Sequence, residues 1–287
     1  MTPHDELNAH LFLLRATEPP ASAVHEYVAT HGPVEAVVRI RHGTAPAAVL
    51  NEIVRPNPRI DEDLRAIASG AARLLTPEDN DWPFERLSAL TNHGIPLALW
   101  VRGSASLTEL TRTAVTVTGA RACTGYGYTV AGDISYELAQ AGVTIISSGA
   151  LGVDEAAHRG ALAADGRTIV VLANGIDRVH PHQHRQLYET VVNEGGLLVS
   201  EYAIGTPPNR IRLHTRCRLL AALTGATVVV EAGERSSALA VAHAASALGR
   251  RVYGIPGSIH SAASTGVHEL LRTGAATLAS SVKHITY

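Results

Sequence analysis

From Ala114 to Ile255 the chain repeats one unit: a short β-branched apolar run, a turn of small residues, then a helical pattern. Val115-Thr116-Val117-Thr118 reads as a strand and Thr129–Gln140 as a helix. Val143-Thr144-Ile145-Ile146 is the next strand, and a helical pattern opens at Val153-Asp154-Glu155. Thr168–Leu172, Leu197–Ser200, Thr227–Val230 and Arg251–Ile255 are further strands with helical segments between them. Short, nearly unbroken apolar runs suit strands buried on both faces. Strands separated by single helices return by crossover, which predicts an α/β fold with a doubly wound, mostly parallel sheet.

Ligands in such sheets bind beyond the carboxyl ends of the strands. Here those ends carry Gly119-Ala120-Arg121, Ser147-Ser148-Gly149, Ala173-Asn174-Gly175, Glu201, Glu231 through Arg235, and Pro256-Gly257-Ser258. The most informative is SSGALGVDEAAHRGAL, Ser147–Leu162. A strand that runs through serines and a glycine into a helix start presents free backbone N–H groups at the positive end of the helix dipole, a setting that suits phosphate. A tight βα turn with no ligand is the plain alternative.

Several chemistries do not fit. The loop after the first strand, GARACTGYG, is not G-x-G-x-x-G, and the second strand ends in serines without the acid that would hold a ribose hydroxyl, so no dinucleotide cofactor is expected. No Gly-Lys-Ser/Thr loop is present, and the single lysine is Lys283. Cys123 and Cys217 are too few for a disulfide framework and are not spaced as a zinc pair. His180, His182 and His184 alternate, but Pro181 puts them in a loop leading into an Arg185–Val192 helix, where loop polarity or a phosphate contact is expected before zinc. Asp154 and His158 share a helix face and read as a helix-dipole partner and a packed histidine rather than as a catalytic pair.

The first 72 residues read differently. Leu7, Leu11 and Leu14 form one helical stripe, Val24, Tyr27 and Val28 a second, and Asp61–Ala72 a further helix before a strand at Arg73-Leu74-Leu75. The expected division is a small helical domain over 1–72 and the sheet domain over 73–287. Residues 1–112 carry a net charge of −4 and residues 113–287 a net of +2. The local pattern says more: Arg210, Arg212, Arg216 and Arg218 lie between Tyr202 and Val230 with no acid among them. No apolar run reaches the roughly 18 residues that cross a bilayer, and no basic region followed by an apolar core opens the chain, so a cytoplasmic location is expected.

At this point the chain resembles the DprA/Smf family of DNA-processing proteins. The matching stretches fall in family order: LLTPEDNDWP (74–83), LWVRG (99–103), VTGAR (117–121), SSGALGVDEAAHRGAL, LANGIDRVHP (172–181), LLVSEYAIGTPP (197–208), TRCRLLAALT (215–224), VVVEAGERSSALAVAHAA (228–245), GRRVYGIPGS (249–258) and GVHELLRTGA (266–275). The resemblance implies an extended Rossmann-like domain behind a SAM-like helical unit. It also implies single-stranded DNA binding, homodimerisation, loading of a RecA-type recombinase in natural transformation, and no covalent chemistry, cofactor or metal. It further implies that the C-terminal winged-helix domain of many members has no counterpart after Tyr287.

The residues add their own support. Arg121, Arg216, Arg218 and Arg235 are expected to converge on one carboxyl rim, where guanidinium forks and helix N-termini hold a phosphodiester backbone. Salt bridges to Glu201, Glu231 or Glu234 are the alternative for each. The expected DNA-contacting set is Gly119, Arg121, Ser147, Ser148, Gly149, Asn174, Arg178, Arg210, Arg216, Arg218, Arg235 and Ser236. The chain departs from the family pattern at Cys217 (usually Asn), Ser237 (Gly) and His268 (Asn). A nucleotide-sensing or nucleotide-cleaving protein of the phosphoribohydrolase superfamily is the second reading, although AGERSSALA (232–240) lacks that group's Gly-Gly pair and catalytic glutamate.

Overall fold

The structure is a computed structural model that describes residues 3–287. Five helices come first: α1 (Pro3–Ala16), α2 (Ser22–His31), α3 (Pro33–Arg41), α4 (Ala47–Asn51) and α5 (Asp61–Ala68). Pro33 opens α3, where a missing N–H costs nothing, and Asp61, Glu62 and Asp63 sit in the first turn of α5 against the positive end of its dipole. α5 stops four residues short of the sequence expectation because Gly70 takes a φ of 70°, the left-handed conformation that ends helices.

The rest of the chain alternates strand and helix. β1 (Arg73–Leu75), α6 (Phe84–Leu87), β2 (Leu99–Arg102) and α7 (Leu107–Arg112) lead in. Then follow β3 (Ala114–Thr118), α8 (Gly125–Gln140), β4 (Thr144–Ser148), α9 (Val153–Ala163), β5 (Thr168–Val171), α10 (Arg185–Asn193) and β6 (Leu197–Ser200). The last group is α11 (Arg210–Thr215), α12 (Cys217–Ala222), β7 (Ala226–Val229), α13 (Ser237–Ala247), β8 (Arg251–Gly254), α14 (Thr265–Arg272) and β9 (Thr277–Leu278).

These strands form one nine-stranded sheet in the order β1-β2-β6-β5-β4-β3-β7-β8-β9. β1–β2 and β2–β6 pair antiparallel, and every pair from β6 to β9 is parallel. The α/β class and the mostly parallel sheet match the sequence reading. Side chains alternate between the two faces as the two-residue period requires. Trp100, Val170, Leu172 and Leu198 face the N-terminal helices in a cluster with Leu11, Leu13 and Val24. Leu99, Val101, Ile169, Val171, Leu197 and Val199 pack on the other side with Leu219 and Leu220 of α12. Each such fully buried aliphatic side chain contributes roughly 1.5–3 kcal/mol. The sheet thus holds the strand ends rigidly, and the loops beyond them are positioned by the core.

α8 begins earlier than the sequence pattern suggests, at Gly125 instead of Thr129. The reason is long-range. Thr124 caps the helix, accepting from Gly127 N, and the Glu231 carboxylate accepts from Thr124 N (2.8 Å) and Oγ1 (2.7 Å). This carboxylate sits where the strand order reverses, between β3 and β7. A Cβ at Gly127 would lie 2.3 Å from Glu231 Oε2. The helix N-terminus that receives a pyrophosphate in dinucleotide-binding sheets is therefore already occupied by a side-chain anion.

Candidate functional site

The turn after β4 is built from inside. Ser147 Oγ donates to Val117 O (2.6 Å), and Ser148 Oγ donates to the Asp154 carboxylate while accepting from Ala150 N (3.2 Å). Asp154 also accepts from Thr118 Oγ1 (3.0 Å) and Gly119 N (3.3 Å). Burial raises the Asp154 carboxyl above its usual range, against the pull of these donors and of the Arg216 charge. His158 Nε2–H donates to Ser148 O (3.0 Å), and Nδ1 lies 2.7 Å from the Thr168 hydroxyl. Burial pushes this imidazole down to about 4, so it is neutral at pH 7. Ser147, Ser148 and Gly119, all in the expected contact set, thus spend these groups on the frame of the turn. Asp154 and His158 are likewise committed to the frame.

Two glycines let the turn close on its neighbours. Gly152 has a φ of 81°, and a Cβ there would lie 2.4 Å from the carbonyl oxygens of both Ala120 and Arg121. Only glycine fits that conformation and that approach. It sets the start of α9 directly against the loop carrying Arg121. At Gly149 a Cβ would lie 1.8 Å from the Tyr188 hydroxyl. That hydroxyl donates to His180 O (2.8 Å), while His184 Nδ1–H donates to Gly149 O (3.0 Å) and its Nε2 lies 3.2 Å from Glu155. Tyr188 and His184 in this way fix the β4 turn and the His180 loop relative to each other.

Between these loops lies a cavity of about 230 Å³. Gly149, Ala150 and Leu151 form one wall, Asn174, His180 and Pro181 another; Leu213 and Arg216 come from α11 and the turn after it, and Arg121 stands at the remaining side. Asn174 shapes its own loop, donating from Nδ2 to Gly175 O (3.0 Å) and Arg178 O (2.8 Å).

The decisive group is Arg216. It is only 8% exposed, yet no carboxylate forms an ion pair with it among the described residues. Its Nε has no hydrogen-bond partner, and its Nη1 makes only a 3.4 Å approach to Val171 O. Burial draws the guanidinium below its ordinary pKa. A buried cation with free donors is costly unless an anion completes it. Arg121 is exposed and also lacks an ion pair among the described residues. His180, also in the wall, is shifted down by burial and then by the charges of Arg121, His182 and Arg216. A cavity so lined has the donors to take an anion, with apolar flanks at Leu151 and Leu213.

Of the four arginines expected on one rim, the structure brings two together. Arg218 takes the salt-bridge alternative: its Nη1 and Nη2 each bond Glu201 at 2.6 Å, and Nε donates to Gly94 O (3.0 Å). All its donors face the interior. Arg235 is exposed beyond β7, outside the cavity, and Ser236 caps α13 by accepting from Ala238 N (3.3 Å). Arg178 and Arg210 are exposed on segments beside the cavity but do not line it. Glu231 pairs with Thr124 and not with an arginine. Leu151, Leu213 and Tyr188 escaped the sequence reading. Their only signal was position: next to the β4 turn, within the arginine-rich run, and on the helix after the histidine-rich loop.

The model for the family described as DNA recombination-mediator protein A matches residues 73–287. The chain belongs to that family. It is 42% identical over 281 residues to the putative DNA processing protein DprA of Mycobacterium tuberculosis, an alignment spanning 93% of this chain and 71% of that one. Protein Smf of Escherichia coli is 33% identical over 252 residues, covering 88% of this chain and 66% of its own. Among solved structures, DprA from Streptococcus pneumoniae superposes with a TM-score of 0.79 at 27% identity, over 99% of this chain and 97% of that one. DprA from Helicobacter pylori, in a structure described as revealing its single-stranded DNA binding mode, gives a TM-score of 0.63 at 27% identity over 74% of this chain and 93% of that one. Among the described residues no helix is long and apolar enough to cross a membrane.

Proposed function

We propose that this member of the family binds single-stranded DNA through the Arg121–Arg216 cavity and passes the strand to a RecA-type recombinase. It acts as a cytoplasmic homodimer that shields incoming or recombining DNA, as in natural transformation. The observation that carries this reading is Arg216, a buried guanidinium with open donors at the back of a cavity whose mouth holds a second unpaired arginine. A phosphodiester satisfies both, and the apolar flanks of Leu151 and Leu213 suit the adjoining sugar or base. The reading is one of binding and not of covalent chemistry: the nearby aspartate, serine and buried histidine are bonded to one another's neighbourhood and not to the cavity.

The testing experiment compares labelled single-stranded and duplex oligonucleotides on the wild-type protein and on Arg121→Glu, followed by a recombinase-driven strand-exchange assay on pre-coated single strands. Preferential single-strand binding, its loss in the variant and a matching loss of stimulated strand exchange support the reading. Equal affinity of variant and wild type rejects the cavity as the DNA site. Retained binding without any effect on strand exchange rejects recombinase loading. The same protein, incubated with small nucleotides, discriminates the nucleotide-sensing alternative: tight binding of a mononucleotide with none of a DNA strand favours it.

A further inference from the structure

A second cavity, of about 310 Å³, opens where the N-terminal helices meet the loop after β6. Arg15, Arg55, Arg59 and Arg212 line it. Two of them are already neutralised. Arg212 holds Glu18 through Nε (2.5 Å) and Nη2 (2.9 Å), and Arg15 holds Asp63, with Glu62 at 3.5 Å. Arg55 donates from Nη1 to Arg15 O (3.1 Å) and approaches Glu18 no closer than 3.8 Å, and exposed Arg59 makes no ion pair among the described residues. The carboxylates are therefore engaged while two guanidinium groups keep open donors. In the wall, Tyr202 buries a hydroxyl that has no hydrogen-bond partner, its ring lying under the Arg212 guanidinium at 5.5 Å.

The two cavities are lined by neighbouring stretches of the chain. Arg212 lines one, while the next residue, Leu213, and Arg216 line the other. The loop that supplies Asn174 to the first cavity is pinned to the loop of the second: Gly175 N donates to Thr206 O (2.9 Å), and Gly205 N donates to Asp177 Oδ1 (2.9 Å). Arg178 and Arg210 stand exposed on these connecting segments, and neither forms an ion pair among the described residues.

We propose that the second cavity is a further phosphate-binding site, and that one single strand occupies both cavities, its backbone passing Arg178 and Arg210 on the way to Arg55 and Arg59. The inference rests on the first cavity being a nucleic-acid site. It gives the N-terminal helical unit a direct part in binding despite that unit's net negative charge. Local open donors, not the summed field, decide the contact.

The test uses oligothymidylates of about six and about 20 nucleotides, spanning the usual footprint of a single-strand site. The double variant Arg55→Glu/Arg59→Glu alters two surface residues, and Arg59→Ala provides a milder version; a thermal melt confirms that each is folded. The short strand is expected to bind wild type and double variant equally. The long strand is expected to bind the double variant about tenfold more weakly, with a salt slope flatter by about 1.4, the value for two single-strand phosphates. Equal long-strand affinity and slope in wild type and double variant overturns the proposal while leaving the first cavity's role intact. A wild-type protein that binds neither strand overturns the reading of the first cavity, and this inference falls with it.

Discussion

Arg216 and Arg218 lie two residues apart, both buried, yet replacing each by methionine is expected to act on stability in opposite directions. Methionine keeps the length and loses the charge. At Arg218 the change leaves Glu201, 2% exposed, without its bidentate partner, and breaking a buried pair from one side costs about 3–5 kcal/mol. At Arg216 no ion pair is lost, and the several kcal/mol of desolvation carried by an uncompensated cation is relieved. Part of that gain is offset because Asp154 loses a nearby positive charge; its carboxyl then stays protonated more readily. The net expectation for Arg216→Met is a gain of about 1–2 kcal/mol. At about 2 °C per kcal/mol for a chain of this size, the melting temperature rises by about 2–4 °C, against a fall of about 6–10 °C for Arg218→Met. The Arg216 variant also loses single-strand affinity, since a charge-assisted hydrogen bond contributes about 1.5–3 kcal/mol. Calorimetric melts of the free proteins, paired with oligonucleotide titration, read both effects. An Arg216→Met protein that melts as early as Arg218→Met and binds DNA like wild type would refute the reasoning, because Arg216 would then be a structural arginine.

Gly149→Ala is expected to push the Tyr188 hydroxyl off its bond to His180 O, costing about 1–3 kcal/mol by overpacking and weakening DNA binding with it; unchanged melting and affinity would mean that the turn has slack. His158 sets part of the acid limit. Its folded pKa of about 4 lies below the unfolded value, so the unfolded chain takes up the proton first. The stability is full above about pH 6.5 and is lost as pH falls toward 4, up to about 3 kcal/mol. His158→Gln is expected to flatten this pH dependence in urea melts between pH 7.5 and 4.5, and a wild-type-like slope in the variant counts against the assignment.

What the sequence revealed and what it hid follow from where the determining contacts lie. The parallel strands were legible because each is a short β-branched run bounded by small residues, and single-helix spacing implies crossovers and so a mostly parallel sheet; the strand order was not legible. Arg121 and Gly149 were legible because strand ends place them on the rim. The split between Arg216 and Arg218 was not legible. Both lie in one arginine-rich run, and only the arrival of Glu201 from β6, 17 residues upstream, decides that one turns inward to a carboxylate and the other does not. Ser147 and Ser148 show the opposite case. Their hydroxyls suit phosphate, but Val117 O and Asp154 claim them first. The early start of α8 depended on Glu231, more than 100 residues away along the chain.

The central claim is that the cavity between Arg121 and Arg216 holds a nucleic-acid phosphate. It is tested most directly by measuring the affinity for one labelled single strand across a salt series, on wild type and Arg121→Glu. The account predicts a linear fall of log K with log salt for wild type, with a slope near −0.7 for each phosphate held. It further predicts a weaker and flatter line for the variant. Superimposable lines for the two proteins, or no binding at about 50 mM salt, would contradict it.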